Sequence, residues 1–578
     1  MSQSTSGSRQ SVQTITDRPS ASVLVIGGGI NGIATFRDLA LQGVDVVLVE
    51  RNDWCSGASS ASSHMIHGGI RYLENGEFRL VQESVQERNG LIKIAPHYVK
   101  PLETTVPIFS TFSGILSAPL RFLTHKQGKP KERGALLIKV GLTAYDSFSR
   151  DGGSVPRHRF HGKRKSLEDL PQMNQDLKYT ATYYDASMHD PERLALDVLM
   201  DGLAAGDNAR AANYVEAVGM GPDGVTLRDT VTGETFTVAS DVVVNTSGPW
   251  TDLTNGAFGE PTSYMGGTKG SHIVLDNPEL LAATKGREIF FEHNDGRIVL
   301  IYPLKGKVMV GTTDINADPS QPSLCTEEEV DYFFDLVRHV FPKITVDREQ
   351  IVYRFAGIRP LPKHDDEAPG FVSRDYRIEQ RAAAARPATT VFSLVGGKWT
   401  TFRALAEHMS TEVLQVLGKP RPVATAGLAI GGGKGFPRTD SALRTWVAGH
   451  EDGLGRERAE QLLNRYGTNA AGFLEYLAEH GDDRFAGAPG YSVQEIEYLT
   501  QGEQVVHLAD VLHRRTSLAF TGSLSAALVD DIADVLARVL GWSAEERAAE
   551  IASALDALAT LHQVDLRDNS RTKATKTA

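Results

Sequence analysis

The chain has 578 residues, 41% of them hydrophobic and 23% charged, with a net charge of −12. That length exceeds a single hydrophobic core and predicts two or three domains, and the acidic balance excludes a general nucleic-acid binder. The two cysteines, Cys55 and Cys325, form no CxxC pair, so neither a disulfide framework nor a zinc site is suggested, and their scarcity fits a reducing cytoplasm.

Residues 1–20 are polar and lack the apolar centre of a secretory signal, so they read as a disordered leader. Ser22 to Ile26 is a short β-branched run, read as a buried strand. It runs into Gly27-Gly28-Gly29-Ile30-Asn31-Gly32, then a helical pattern to Gln42, then a second strand, Asp45–Val49, closed by Glu50. Strand, Gly-x-Gly-x-x-Gly, helix, strand and acid form the dinucleotide fingerprint. Gly27 permits the turn, Gly29 lets the backbone approach a pyrophosphate, and Gly32 lets helix and strand pack. The helix start, with Asn31, offers N–H groups to phosphate, and Glu50 suits ribose hydroxyls rather than a 2′-phosphate, disfavouring NADP. The small and hydroxylic run Ser56 to His64, with Ser59, Ser60, Ser62 and Ser63, then favours FAD over NAD. Small residues let the chain lie along a long cofactor, and hydroxyls bond it.

Between Arg121 and Lys165, twelve Lys or Arg stand against three acids. This basic stretch, with Phe112, Ile115, Leu116, Leu120, Phe122 and Leu123 beside it, reads as a patch for an anionic lipid surface. No apolar run approaches the roughly 18–20 residues of a membrane-spanning helix. Strands are expected at Ile289–Glu292, Ile298–Tyr302 and Val308–Gly311, with turns at Asn294-Asp295-Gly296 and Lys305-Gly306-Lys307. Gly396-Gly397-Lys398-Trp399-Thr400-Thr401 follows the strand Thr389–Val395 and opens a helix. Gly431 to Gly435 lacks P-loop spacing and reads as a linker. Helices are expected at Ser441–Val447, Arg456–Tyr466, Ala470–His480, Val493–Leu499, Gln504–Leu512, Leu524–Val539 and Ala544–Leu561. A polar tail follows.

The segment Ser59 to Glu74, SSASSHMIHGGIRYLE, resembles the signature of the FAD-dependent glycerol-3-phosphate dehydrogenases, within the D-amino-acid-oxidase-like flavoproteins. The likeness continues in register through FRLVQESVQERNGL (Phe78–Leu91), APHYVKPL (Ala95–Leu102), Tyr183-Tyr184-Asp185 with Arg193, and VVNTSGPWTD (Val243–Asp252). It goes on through TKGSHIVL (Thr268–Leu275), Gly311-Thr312-Thr313-Asp314, AGIRPL (Ala356–Leu361), SRDY (Ser373–Tyr376) and GGKWTTFR (Gly396–Arg403). YSVQEIEYL (Tyr491–Leu499) and HLADVLHRRTSL (His507–Leu518) extend it, so that it covers roughly residues 22–540. Two departures stand out: His64 where the family commonly has Lys, and Thr246-Ser247 where it often has Ala-Thr or Ala-Ala.

The resemblance implies an α/β fold: a Rossmann-like FAD-binding domain, a β-rich substrate domain and a helical C-terminal domain. The expected segments are 21–100, 175–250 and 350–415 for FAD, 101–174 and 251–349 for substrate and membrane, 430–562 for the helices, and 563–578 for a disordered tail. It implies oxidation of sn-glycerol 3-phosphate to dihydroxyacetone phosphate with FAD as cofactor and a membrane quinone as acceptor. The enzyme is expected as a homodimer, in the cytoplasm or peripheral on the cytoplasmic face of the membrane. An oxygen-using oxidase, a dehydrogenase of another polyol phosphate such as erythritol 4-phosphate, and a non-catalytic flavin-binding protein remain open.

For the site, the resemblance places Arg71, Tyr72, Arg359 and Arg374 at the substrate, with Lys269 as a further cation. Guanidinium groups suit a phosphate dianion because they are planar and always charged. Arg359 is expected to be the main electrostatic contributor. The base is left between His272, His67 and a residue tuned by neighbouring cations. Around the cofactor, His67, Gly68, Gly69, Gly248, Trp250, Gly357, Gly397, Lys398, Thr400 and Thr401 join the glycine loop and serines. A helix start at Gly396–Thr401 would meet the negative charge of a reduced flavin, with Lys398 also contributing to catalysis.

Overall fold

The computed structural model describes residues 9–69, 78–110, 138–139, 142, 156–293, 297–363, 375–451 and 453–567. Its first sheet has the strand order Arg377–Ala382, Thr390–Val395, Thr235–Asn245, Ser20–Ile26, Val46–Val49, Ala209–Ala212. All neighbours pair in parallel except the first two. A parallel sheet covered on both faces needs continuously apolar strands, and all four residues of Val46–Val49 are buried. The helix Ile30–Leu41 packs on one face between Pro191–Leu203 and Phe402–Leu417.

The second sheet runs Ile315–Asn316, Met265–Leu275, Lys307–Gly311, Ile298–Leu304, Glu288–Glu292, Val99–Ile108, Tyr179–Met188, Met65–Ile66. Ile351–Pro362 pairs along Met265–Leu275. The three strands expected between 289 and 311 lie within this sheet. Tyr179–Met188 and Ile351–Pro362, expected with the nucleotide domain, also join it. Alternate residues face opposite ways. Ile273, Leu275, Val308 and Val310 pack against the helix Glu327–Val340. Val274, Met309, Tyr353 and Phe355 pack against the C-terminal helices.

Those helices run Asp440–Ala448, Arg456–Tyr466, Ala470–His480, Val493–Gly502, Ala526–Leu540 and Ala544–Leu561. The helix expected over Gln504–Leu512 is shorter, at Leu508–Asp510, and passes into a π turn at Val511–Arg515. Asp510 starts it by accepting from the amides of Val506 and His507, 2.9 Å each.

Two expectations are corrected. The leader is not wholly disordered: Gln10–Thr16 is helical, with Val12 and Ile15 buried against the first sheet. Arg9 fixes it by donating to the carbonyl of Asn213 at 2.6 Å. Gly431–Gly433 is a packed joint rather than a free linker. Its amides at Gly431 and Gly432 donate to Asp201 and Asp197, and any Cβ at Gly432 or Gly433 would collide with the carbonyls of Tyr466 or Ile94. The stretch expected to face lipid falls largely on residues outside those described, as do the turn at residues 294–296, the first eight residues and the tail from Asp568. No described helix is long and apolar enough to cross a membrane.

Candidate active site

The glycine loop is built to admit a pyrophosphate. Gly27 sits at φ +109°, and a side chain there would strike the backbone of Thr246. Gly32 is closed in by the Gly27 carbonyl and the Thr246 hydroxyl, so strand and helix meet with no room for a methyl. Gly29 caps the helix, with Ser59 3.0 Å from the Ile30 amide. Glu50 accepts from the amides of Gly28 (2.6 Å) and Asn52 (2.9 Å). Burial pushes its carboxyl upward, and those two amides oppose the shift.

A second glycine turn converges on the first. Gly397, at φ +107°, leaves no room for a Cβ beside the Asn31 amide, whose side-chain oxygen is buried and has no partner among the described residues. Trp399 donates to the carbonyl of Ser59 (2.9 Å), and Thr400 to that of His67 (3.2 Å). Lys398 donates to Ser84 (2.7 Å), and Thr401 is buried. Gly357 lies so close to Ala61 that a methyl would overlap it. Gly68 donates to Asp185 (2.8 Å), and Gly69 takes φ +76°. The strained glycines, the orphaned Asn31 oxygen and the Ser59 cap form one continuous cradle that fits FAD: glycine loop for pyrophosphate, Glu50 for ribose, Gly396–Thr401 for the ring.

Other predicted residues turn elsewhere. Ser60 donates to Gly57 (3.0 Å) and Ser62 accepts from the His64 amide (3.3 Å). Gly248 takes φ +61°, while Trp250 donates to Pro319 (2.8 Å) and carries the Arg51 guanidinium 4.7 Å above its ring.

On the substrate side, His272 Nε2 lies 2.9 Å from the Ser63 hydroxyl, and its ring stacks on Phe355 at 4.7 Å. Burial, then the Arg359 charge, holds this imidazole well below its usual pKa, so it is neutral at neutral pH. Arg359 is held by Asp314 (2.7 Å), the Thr312 hydroxyl (3.0 Å) and the Thr313 carbonyl (2.9 Å). Gly270 makes room for the guanidinium.

Lys269 is a correction. Strand alternation puts it and Ser271 on the face opposite His272. There it donates to Glu329 (2.7 Å) and the Leu324 carbonyl (2.6 Å), away from the cradle. Its charge is spent on a buried ion pair. Arg71, Tyr72 and Arg374 lie outside the described residues. His64 is also turned from the cradle, between Phe520 (5.1 Å) and Phe355 (6.5 Å).

Sequence reasoning missed the supports. Glu329 accepts from Lys269, Ser271 and Thr313 and so fixes the loop that holds Arg359. Asp185, ion-paired to Arg88 at 3.0 Å, anchors Gly68. The Thr326-x-x-Glu329 capping box was a visible signal for the first.

The geometry agrees with the comparisons. Residues 22–409 match the model of the FAD dependent oxidoreductase family, and residues 388–547 match the C-terminal domain of alpha-glycerophosphate oxidase. A glycerol-3-phosphate dehydrogenase of Synechocystis sp. is 32% identical over 551 residues, covering 91% of this chain and 94% of the relative. The chain belongs to the FAD-dependent glycerol-3-phosphate dehydrogenase family. An aerobic glycerol-3-phosphate dehydrogenase of Staphylococcus haemolyticus is 27% identical, covering 91% and 92% of the two chains. The crystal structure of the glycerol-3-phosphate dehydrogenase from Bacillus halodurans, complexed with FAD, matches with a TM-score of 0.73 at 25% identity, over 95% of this chain and 97% of that one. FAD is the cofactor, and the fold is that of the family: two sheets and a helical C-terminal domain.

Proposed function

We propose that this family member oxidises sn-glycerol 3-phosphate to dihydroxyacetone phosphate and passes the electrons to a membrane quinone. The observation that carries the reaction is the pairing of neutral His272 with the Arg359 charge beside the flavin cradle. The flavin supplies the hydride acceptor when bound. His272 takes up the proton at Nε2 through the Ser63 hydroxyl, which passes its own proton to the ring and receives that of the C2 hydroxyl. Arg359 stabilises negative charge on the substrate oxygen, and Asp314 fixes the guanidinium so that it need not reorganise. Arg71, Tyr72 and Arg374 are assigned to the phosphate, and Lys398 to the cofactor edge. Lys269 is assigned to support.

The basic stretch between Arg121 and Lys165 favours a lipid surface and hence a quinone, in a homodimer bound peripherally to the cytoplasmic face. An oxygen-using oxidase is the second reading, because the C-terminal segment matches a domain described for alpha-glycerophosphate oxidase. Anaerobic mixing with glycerol 3-phosphate, with glycerol and erythritol 4-phosphate alongside, tests the substrate. Loss of the visible flavin band with glycerol 3-phosphate alone is expected; bleaching only by the tetritol phosphate would overturn it. Peroxide released in step with turnover in air would replace the quinone by oxygen.

A further inference from the structure

Residues 59–68 are stitched alternately to the two halves of the site. Trp399 holds the Ser59 carbonyl at 2.9 Å, Ser63 meets His272 at 2.9 Å, and Met65–Ile66 pairs with Ser187 and Ala186 of the second sheet. At the end of this stretch both halves act on a single peptide unit. The His67 carbonyl accepts from the Thr400 hydroxyl at 3.2 Å. The N–H of that same unit, which belongs to Gly68, donates to Asp185 Oδ1 at 2.8 Å. In a planar trans peptide the C=O and the N–H point in opposite directions. The second glycine turn and the second sheet therefore stand on opposite sides of one rigid plane.

Asp185 is held firmly for this contact. It lies in Tyr179–Met188, between Val99–Ile108 and Met65–Ile66, and is 1% exposed. The Oδ1 that accepts from Gly68 also accepts from Arg88 Nη1 at 3.0 Å. Arg88, fully buried, comes from the helix Phe78–Ile94 and donates as well to the Tyr184 carbonyl (3.0 Å) and the Asn89 side chain (3.0 Å). A carboxylate bonds a backbone N–H more strongly than a neutral acceptor does, and it cannot swing away from Arg88 without stranding a buried charge. The strand register, followed from His272 through Leu300, Phe290 and Thr104, puts Asp185 on the sheet face that carries His272 and Arg359.

We propose that Asp185 is a positioning residue for the reaction: with Thr400 opposite, it makes the peptide between His67 and Gly68 a spacer that sets how far the flavin ring stands from a substrate at His272 and Arg359. The inference rests on the glycerol 3-phosphate reading above for its kinetic arm. The carbon that gives up hydride and its acceptor must come within roughly 3–3.5 Å, and a displacement of about 1 Å costs about 10²-fold in rate. Loss of the spacer is therefore felt in the chemical step. The contacts that each half makes on its own still bind cofactor and substrate.

The test compares two double variants of the FAD-loaded full chain. R88M/D185N and R88M/D185L both exchange the buried ion pair for neutral groups, which avoids a stranded charge. Only Asn keeps an oxygen for the Gly68 N–H. Anaerobic flavin reduction by glycerol 3-phosphate is expected to have a limiting rate about tenfold or more lower in R88M/D185L than in R88M/D185N, with the Kd values for substrate and FAD in the two variants within about threefold. Amide exchange at Gly68 is expected to be slow in the unaltered protein and in R88M/D185N, and about tenfold or more faster in R88M/D185L. T400V, which frees the other end of the same peptide without touching Asp185, is expected to speed that exchange as well. Equal limiting rates and equal Gly68 exchange in the two double variants would remove Asp185 from the role, and an unchanged Gly68 amide in T400V would overturn the two-sided spacer. Fast exchange at Gly68 in the unaltered protein would overturn it without needing any variant to fold. An unaltered protein whose flavin glycerol 3-phosphate fails to reduce would sink the substrate reading, and the exchange comparison would still decide the spacer.

Discussion

Ser63 Oγ and His272 Nε2 lie 2.9 Å apart and tie the cofactor segment to the substrate strand. This contact fixes where the imidazole can take a proton. Burial and the Arg359 charge depress the His272 pKa, so the neutral base persists to pH values well below 6.5. The acid limb of kcat/KM, measured by dye reduction, is therefore expected well below pH 6.5. His272→Gln is expected to lower kcat by about 10²–10⁴ with the flavin still bound. Near-normal turnover in that variant, or an acid limb at 6.5 that the variant keeps, would remove His272 from the role of base.

Arg359 and Lys269 make a matched pair of tests, since both are cations on adjacent strands. Arg359→Lys keeps the charge but loses the fork that Asp314, Thr312 and Thr313 hold. It is expected to reduce kcat/KM about 10²-fold, with little change in melting temperature. Lys269→Met strands the Glu329 carboxylate, which is 3% exposed, and is expected to cost about 3–5 kcal/mol of stability. Equal losses of activity at equal stability would mean that Lys269 does reach the substrate.

The nucleotide end was legible because its signal is local. Strand, glycines, helix and acid fall within about thirty residues, and each glycine answers a steric demand. Most C-terminal helices were legible from their period. The facing of Lys269 was not: alternation says that it opposes His272, but which face meets the cradle depends on which face the Glu327–Val340 helix covers. Pairs such as Asp53 and Arg515 leave no local pattern at all. Gly431–Gly433 misled because a glycine run reads the same whether the chain is loose or pressed against a neighbour. His64 stood out as a departure from the family, yet only the fold shows that it turns away from the cradle.

Gly397 tests the cradle itself. At φ +107°, with the Asn31 amide against it, alanine is strained both by conformation and by contact. Gly397→Ala is expected to leave the fold in place and lower the flavin-to-protein ratio on purification, with the Kd for added FAD raised about tenfold or more. Full flavin content with unchanged reduction by substrate would show that this turn does not shape the cofactor site.

Asp53 joins the FAD domain to the C-terminal domain. It accepts from Arg515 (2.5 and 2.9 Å), from Arg514, and from Asn213 at 3.0 Å, and it is fully buried. Burial alone would raise its pKa, but the two guanidinium groups outweigh that and hold it below the ordinary carboxylate value. A depressed pKa stabilises the fold above the unfolded value of 3.8, and that contribution is lost as pH falls through the folded value. Asp53→Asn leaves Arg515 and Arg514 short of their shared counter-charge and is expected to cost about 3–5 kcal/mol at neutral pH. The difference in melting temperature between variant and parent should be constant from neutral pH down to about 4 and shrink below that, since only the parent has a carboxylate to protonate. A difference that stays constant to the lowest pH at which both fold would mean that the cost comes from altered packing rather than from charge.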